Sequence, residues 1–197
     1  MPYTPYHFGP SGLVGIVLRR WIDIPVFILA NVAVDSEVLI DNWYSPGWPV
    51  HQTLHLHTLL VGGLMGVVFG AGMYYVPLLR RLSERAMGFF GLPYRISAGR
   101  MIMAGILGVI FHVLIDSVHH QDVQLFWPFR TDNPVWRYWA GGNFANVERL
   151  REVVVGGCLI CWATLAVWYG AVVDMFRIRR QKLTDVRRNR RRTFEGV

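Results

Sequence analysis

The sequence contains few cysteines, which could cross-link a small domain, and few charged residues, which would make it soluble. Only two of its 197 residues are cysteine and 17% are charged, against about 25% in soluble globular domains. Two cysteines cannot supply a disulfide framework for a chain of this length. The N-terminus lacks the basic start and the small-residue cleavage site of a signal peptide, so we expect no removable leader. Because 53% of the residues are hydrophobic, a disordered chain is also excluded.

The net charge of +7 is concentrated at the C-terminus. Residues 177–197 hold nine Lys or Arg and two acids, whereas the preceding residues hold eleven of each. A basic segment beside an apolar block is typical of a membrane-surface anchor, and it argues against a nucleic-acid partner. We therefore divide the chain into a membrane-embedded domain, residues 1–176, and a basic cytoplasmic tail, residues 177–197.

Three long apolar runs predict membrane-spanning helices. The runs Thr58–Leu79 and Val153–Val173 carry no charge, and each is longer than the ~20 residues that a bilayer core requires. A third run, Met101–Ile115, is apolar apart from His112. The chain is therefore predicted to be an all-α integral membrane bundle of about four to five helices, with the lipid bilayer as its first partner.

The N-terminal region predicts a short helical pair. Ser11 can cap a helix that runs to Arg20, and Asp23 with Pro25 can begin a second helix toward Glu37. At 1.5 Å per residue the first helix is too short to cross the hydrocarbon. We expect a re-entrant or strongly tilted pair.

Small residues and one proline shape the first long run. Gly62, Gly66 and Gly70 repeat at four-residue spacing, which permits close approach of another helix, although membrane helices are also rich in glycine generally. Pro77 predicts a kink near the end of this helix.

Lysine and arginine placement predicts the orientation. Residues 80–100 contain five Arg and one Glu, whereas residues 35–57 contain three acids and no Lys or Arg. We therefore predict a multi-pass protein of a bacterial-type inner (cytoplasmic) membrane, with the C-terminus in the cytoplasm. The opposite side carries an aromatic belt: Trp43, Tyr44, Trp48, Trp127, Trp136, Tyr138 and Trp139.

All seven histidines fall in one predicted layer toward the outer face. With the acids that lie beside apolar runs, they form a candidate set of metal ligands: His7, Asp35, His51, His55, His57, His112, Asp116, His119 and His120. Ionisable residues in a membrane segment are costly and by default functional. A divalent cation offsets that cost, since imidazole nitrogen and carboxylate oxygen are its natural ligands.

Spacing supports a shared site. His112 and Asp116 are four residues apart, so on a helix both side chains leave the same face, and His51 and His55 have the same relation. The His112–Asp116 pair also fits a charged contact between helices or the proton path of a small transporter. Cys158-x-x-Cys161 lies inside an uncharged run where thiolates are disfavoured, so we interpret it as packing rather than a metal motif.

The run His112-Val-Leu-Ile-Asp116, followed by Leu125-Phe126-Trp127-Pro128, resembles the LexA-regulated, membrane-bound metal-dependent hydrolase family. The early His7, the Asp35-Ser-Glu37 element and a His-rich segment that closes in His57-Thr58 occur there in the same order. The resemblance covers residues 1 to 130. That family is similar in motif order to the zinc-dependent phospholipase C and P1-type nuclease group, whose members hold a zinc cluster between helices and cleave phosphoesters.

This resemblance implies a zinc-type hydrolase acting on a phosphoester or a lipid-linked substrate. The implied ligands are His7, Asp35, His57, His112 and Asp116, with His119 or His120 as a further one. Asp35 or Glu37 is the nearest acid to act as catalytic base or bridge, and Asp122 is the next candidate.

A second reading is a non-catalytic accessory or structural subunit of a larger membrane complex, for example a respiratory or photosynthetic one, with a structural or vestigial metal site. The aromatic loop 126–144 and the basic tail 177–192 would then contact membrane-protein partners. A third reading is a small transporter or proton carrier that uses His112 and Asp116.

Overall fold

Every regular element in the described residues is an α-helix. The computed structural model describes residues 7–44, 51–89, 94–141 and 144–195. Their helices are, in chain order, α1 Phe8–Val17, α2 Ile24–Ala33, α3 Ser36–Tyr44, α4 Leu59–Tyr75, α5 Pro77–Phe89, α6 Ala98–His119, α7 Pro134–Ala140 and α8 Phe144–Glu195. The all-α prediction is confirmed, but the described residues form eight helices instead of the expected four to five. The N-terminal region and the first long run break into shorter helices, and the segment after α6 contains the short α7.

The N-terminal pair exists with different ends. Helix α1 begins earlier than predicted, and Ser11 lies inside it, where its hydroxyl donates to the carbonyl of His7 at 2.6 Å. Asp23 caps α2 as expected, since its carboxylate accepts the backbone N–H of Val26 at 3.1 Å. Helix α2 stops at Ala33 instead of running on to Glu37, and a turn separates it from α3.

The predicted kink at Pro77 is a sharp break. Helices α4 and α5 meet there at 85°. Proline lacks an N–H and clashes with the preceding turn, so the α4 hydrogen-bond ladder ends before it. Two helices are long and apolar enough to cross a membrane, α6 and residues 148–172 of α8, and the bent α4–α5 pair makes a third if it forms one span.

Helix α6 is the centre of the helical packing, with α4 on one side and α2 on another. Its buried residues Met101, Ala104, Val109 and Val113 contribute to both hydrophobic clusters of the core. Contact with α4 is close because glycines face each other: a Cβ atom on Gly66 would lie 2.7 Å from the carbonyl oxygen at position 105. The glycine stripe on α4 therefore serves helix approach, as its spacing suggested.

The described chain forms two compact units, one ending at Trp162 and the other beginning at Ala163. Helix α8 runs through position 176 without interruption, so the predicted division between residues 176 and 177 stays a prediction. All candidate metal ligands belong to the first unit.

Candidate metal centre

Four buried or nearly buried side chains from three parts of the chain converge on one point. Asp35 comes from the turn before α3, His57 from the loop before α4, and His112 and Asp116 from one face of α6. Each offers one ligand atom, and all four atoms lie within 4.8 Å of one another. These four residues are called the first metal group.

The separations within this group suit a tetrahedral ion. His112 Nε2 lies 3.0 Å from Asp116 Oδ2 and 3.2 Å from Asp35 Oδ1. His57 Nε2 lies 3.7 Å and 3.9 Å from the same two oxygens. With metal–ligand bonds of about 2.0–2.2 Å, tetrahedral geometry puts ligand atoms roughly 3.3–3.6 Å apart. These four separations lie on either side of that range, and all six pairs of ligand atoms are within 4.8 Å.

Several atoms of this group are enclosed but make no hydrogen bond. They are Nε2 of His57, both ring nitrogens of His112 and Oδ1 of Asp116. Both imidazoles are fully buried, and Asp116 is 4% exposed. Leaving a buried polar atom unsatisfied costs about 1–3 kcal/mol, so native proteins usually avoid it. A cation at the point of convergence would satisfy the Nε2 atoms of His57 and His112 together, whereas Nδ1 of His112 faces away from that point.

Glu37 orients His57 from behind. Its Oε2 accepts the ring Nδ1–H of His57 at 2.9 Å and the backbone N–H of that residue at 3.1 Å, while Oε1 accepts the N–H of Leu54 at 2.7 Å. Burial alone would raise the pKa of the Glu37 carboxyl, but the hydrogen bond that it accepts from the His57 ring holds the pKa below its usual value. The hydrogen bond to Glu37 keeps the ring proton of His57 on Nδ1. Nε2 is then unprotonated and can bind a metal ion.

His7 borders the first metal group. Its ring stacks on that of His112 with centroids 4.6 Å apart, and its Nε2 lies 3.5 Å from Asp116 Oδ1. Burial lowers the pKa of His7 despite the opposing charge of Asp116. The imidazole is therefore neutral at neutral pH, which is the form that binds metals.

His51, His120 and Asp122 make a second metal group, with ligand atoms also within 4.8 Å of one another. His51 Nδ1 lies 2.8 Å from Asp122 Oδ2, and the His51 and His120 rings are 4.6 Å apart. Burial lowers the pKa of His120 to about 4. Burial alone would also lower the pKa of His51, but the hydrogen bond that its ring donates to Asp122 raises that pKa. The two groups touch, since His51 and His57 meet edge to face at 4.5 Å.

Three predicted ligands lie outside both groups: His7, which borders the first group, His55 and His119. The expected helical pairing of His51 with His55 is wrong, because this segment is not helical and α4 begins only after the Thr58 cap. His55 has a positive φ of 53° and stacks on Trp127 at 4.1 Å.

His119 also stays apart from the two groups. Its Nδ1–H points to the carbonyl of Ile115 at 3.2 Å. The two cysteines are free thiols, and neither belongs to a metal group.

Sequence reasoning missed two features of the site. Asp122 was expected only as a remote candidate for a base, although the spacing His120-x-Asp122 could have suggested a ligand pair. Glu37 was expected at the reacting centre, whereas it is fully buried behind His57. No sequence pattern indicates that position, because it depends on the turn between α2 and α3.

Comparisons of the chain with protein-family models, with curated proteins and with solved structures found no match. The family resemblance therefore stays a prediction, and a function must be inferred from the chemistry of the two groups.

Proposed function

We propose that this chain is a membrane-bound, metal-dependent hydrolase that cleaves a phosphoester, with zinc as its ion. The observation that carries the proposal is the convergence of two imidazole nitrogens and two carboxylate oxygens in the first metal group. The motif order that resembles the membrane-bound hydrolase family supports the same reaction class.

The ligand set fits zinc better than the alkaline-earth ions. Calcium and magnesium prefer oxygen ligands throughout, whereas imidazole suits zinc and its neighbours in the transition series. Two neutral imidazoles with two carboxylates also balance a divalent charge. That balance matters where His57, His112 and Asp116 are all withdrawn from water.

The residues divide into three roles. Zinc, when bound, would lower the pKa of a water molecule toward about 7 and polarise a phosphoryl oxygen. Asp35 is the most accessible member of the group, with its side chain 20% exposed against 5% for Asp116, so we assign it the open side and the proton transfer from water. His57, His112 and Asp116 would hold the ion, which leaves its fourth position for that water. Glu37 orients His57 rather than acting as a base.

The membrane supplies the context for the substrate. Helices α6 and α8 are long and apolar enough to cross a bilayer, and the first metal group lies at the C-terminal half of α6. By the charge pattern of the sequence, that end faces outward from a cytoplasmic membrane. We therefore propose a substrate whose phosphoester sits at headgroup level.

Metal content and turnover of the detergent-purified chain test this proposal. We expect at least one equivalent of zinc per chain and hydrolysis of a chromogenic phosphodiester, both lost in His112→Ala. The matched control is His55→Asn, since Asn tolerates the positive φ at that position and the ring lies outside both groups. Metal-free wild-type protein, or unchanged turnover in His112→Ala, would contradict the proposal.

One observation favours the accessory-subunit reading as a second candidate. Phe129, Tyr138 and Trp139 are 89%, 82% and 57% exposed, and large aromatic side chains left open in this way are frequent at protein interfaces. All three belong to the aromatic loop 126–144. Copurification of this chain with larger membrane proteins, lost when the three are changed to serine, would support that reading.

A further inference from the structure

An apolar groove lies between α1, α6 and α8. Its volume is about 450 Å³, within the ~300–1,000 Å³ range of small-molecule sites. The side chains that define it are Pro10 of α1, Phe111, Leu114 and Val118 of α6, and Val154 and Cys158 of α8. Among the described residues no charged side chain lines it, so water inside would find few hydrogen-bond partners.

The groove and the first metal group use adjacent faces of the same helix. Phe111 and Ile115 line the groove, and each directly precedes a metal-group residue, His112 and Asp116. Successive residues of an α-helix point about 100° apart, so the two faces adjoin along the same turns of α6. On α1, Pro10 lines the groove and lies three residues after His7, the residue that borders the first metal group.

We infer that this groove binds the hydrocarbon chain of a lipid-linked phosphoester whose headgroup lies at the first metal group. The inference rests on the proposed function and extends it to the substrate class. The groove opens where Leu114 is 45% exposed and Val153 is 70% exposed, on helices apolar enough to lie in a bilayer. In a bilayer, lipid hydrocarbon chains surround such an opening, so a hydrocarbon chain is the expected ligand of the groove. The anionic headgroup of the same lipid would complement a cation bound at the first metal group.

Two neighbouring glycines provide a variant and its matched control. A Cβ atom on Gly157 or on Gly156 would meet nothing within 4 Å, so leucine fits either position without a clash at Cβ. Gly157 lines the groove and Gly156 does not. Gly157→Leu therefore fills the groove, while Gly156→Leu adds the same side chain elsewhere on α8.

The first measurement compares two phosphodiesters that differ only in alkyl chain length. We expect Gly157→Leu to raise KM for the long-chain substrate about tenfold, the factor that corresponds to losing the burial of about two methylene groups. The short-chain KM should not change, and Gly156→Leu should match wild type on both. Equal behaviour of the two variants on the long-chain substrate would overturn the inference.

The second measurement does not need turnover. The full chain as purified is irradiated with a long-chain phosphodiester lipid that carries a diazirine on its chain, and adducts are mapped by mass spectrometry. We expect saturable adducts on residues 111–118 and 153–158 that are lost in Gly157→Leu but kept in Gly156→Leu. This result would support the groove even if the wild type hydrolyses nothing. In that case only the proposed function would fail. Turnover without saturable adducts would overturn the groove and leave the function standing.

Discussion

Glu37→Gln tests whether the buried carboxylate behind His57 sets the metal affinity. In the wild type it accepts three N–H groups, from the ring and backbone of His57 and from Leu54. Glutamine is nearly isosteric but has one acceptor oxygen and one NH₂ group. In the more favourable orientation of the new side-chain amide, the oxygen still accepts both N–H groups of His57. The NH₂ group then faces the Leu54 N–H, which loses its acceptor.

The magnitude follows from these bonds. The unpaired Leu54 N–H costs about 1–3 kcal/mol, and the remaining bonds to His57 lose their charge assistance, which roughly halves their strength. Loss of a carboxylate that orients a metal-binding histidine weakens metal binding about 10–100-fold, or about 1.4–2.7 kcal/mol. We therefore expect the zinc Kd of Glu37→Gln to rise by that factor.

Competition titration against a chromogenic chelator measures this Kd in detergent. The control is Glu84→Gln, the same chemical change at an exposed position on α5, which should bind zinc as the wild type does. Thermal unfolding of the metal-free proteins shows whether Glu37→Gln still folds. A folded Glu37→Gln protein with a Kd within twofold of wild type would refute the orienting role.

Three further predictions concern packing, alkaline stability and topology. Gly66→Ala should lower the melting temperature, because its Cβ would lie 2.7 Å from the Gly105 carbonyl oxygen. Such overpacking costs about 1–3 kcal/mol of folding stability. Gly63→Ala should leave the melting temperature unchanged, because its Cβ would meet nothing within 4 Å. Burial, with the Tyr94–Asp23 hydrogen bond, raises the pKa of Tyr94, so folding stability should fall as the pH rises above the unfolded value of about 10. This fall should be smaller in Tyr94→Phe when melting temperature is followed from pH 8 to 11.5. A reporter fused to the C-terminus should be active only if it functions in the cytoplasm; activity of a periplasmic reporter there would reverse the predicted orientation.

Regular features of the chain were predictable because they depend on local periodicity. The apolar run around His112 predicts α6, and the four-residue spacing to Asp116 places both side chains on one face, where the structure has them 3.0 Å apart. Asp23 and Pro77 mark a helix start and a helix break by their own backbone chemistry. These features need no knowledge of the neighbouring helices.

The rest depends on contacts between distant segments. The chain offers His51, His55 and His57 within seven residues, and spacing alone does not choose among them. Glu37, 20 residues away in the sequence, hydrogen-bonds the ring of His57 and so orients that histidine toward the first metal group. Asp122, 71 residues away in the sequence, hydrogen-bonds His51 instead. Sequence periodicity carries no information on such pairs, which appear only once α3 and the loop after α6 are in place.

Helix packing and the metal group therefore stabilise each other. Two of the ligands, His112 and Asp116, belong to α6. The other two, Asp35 and His57, belong to segments whose positions depend on the packing of α2 and α4 against α6. Close glycine contacts hold α4 against α6, so the distance from His57 to His112 is determined by backbone packing rather than by flexible side chains. That same packing excludes water from His57, His112 and Asp116, which makes their unsatisfied atoms destabilising without an ion. A bound ion removes this cost only in the folded state, so metal binding and folding of this bundle must be thermodynamically coupled.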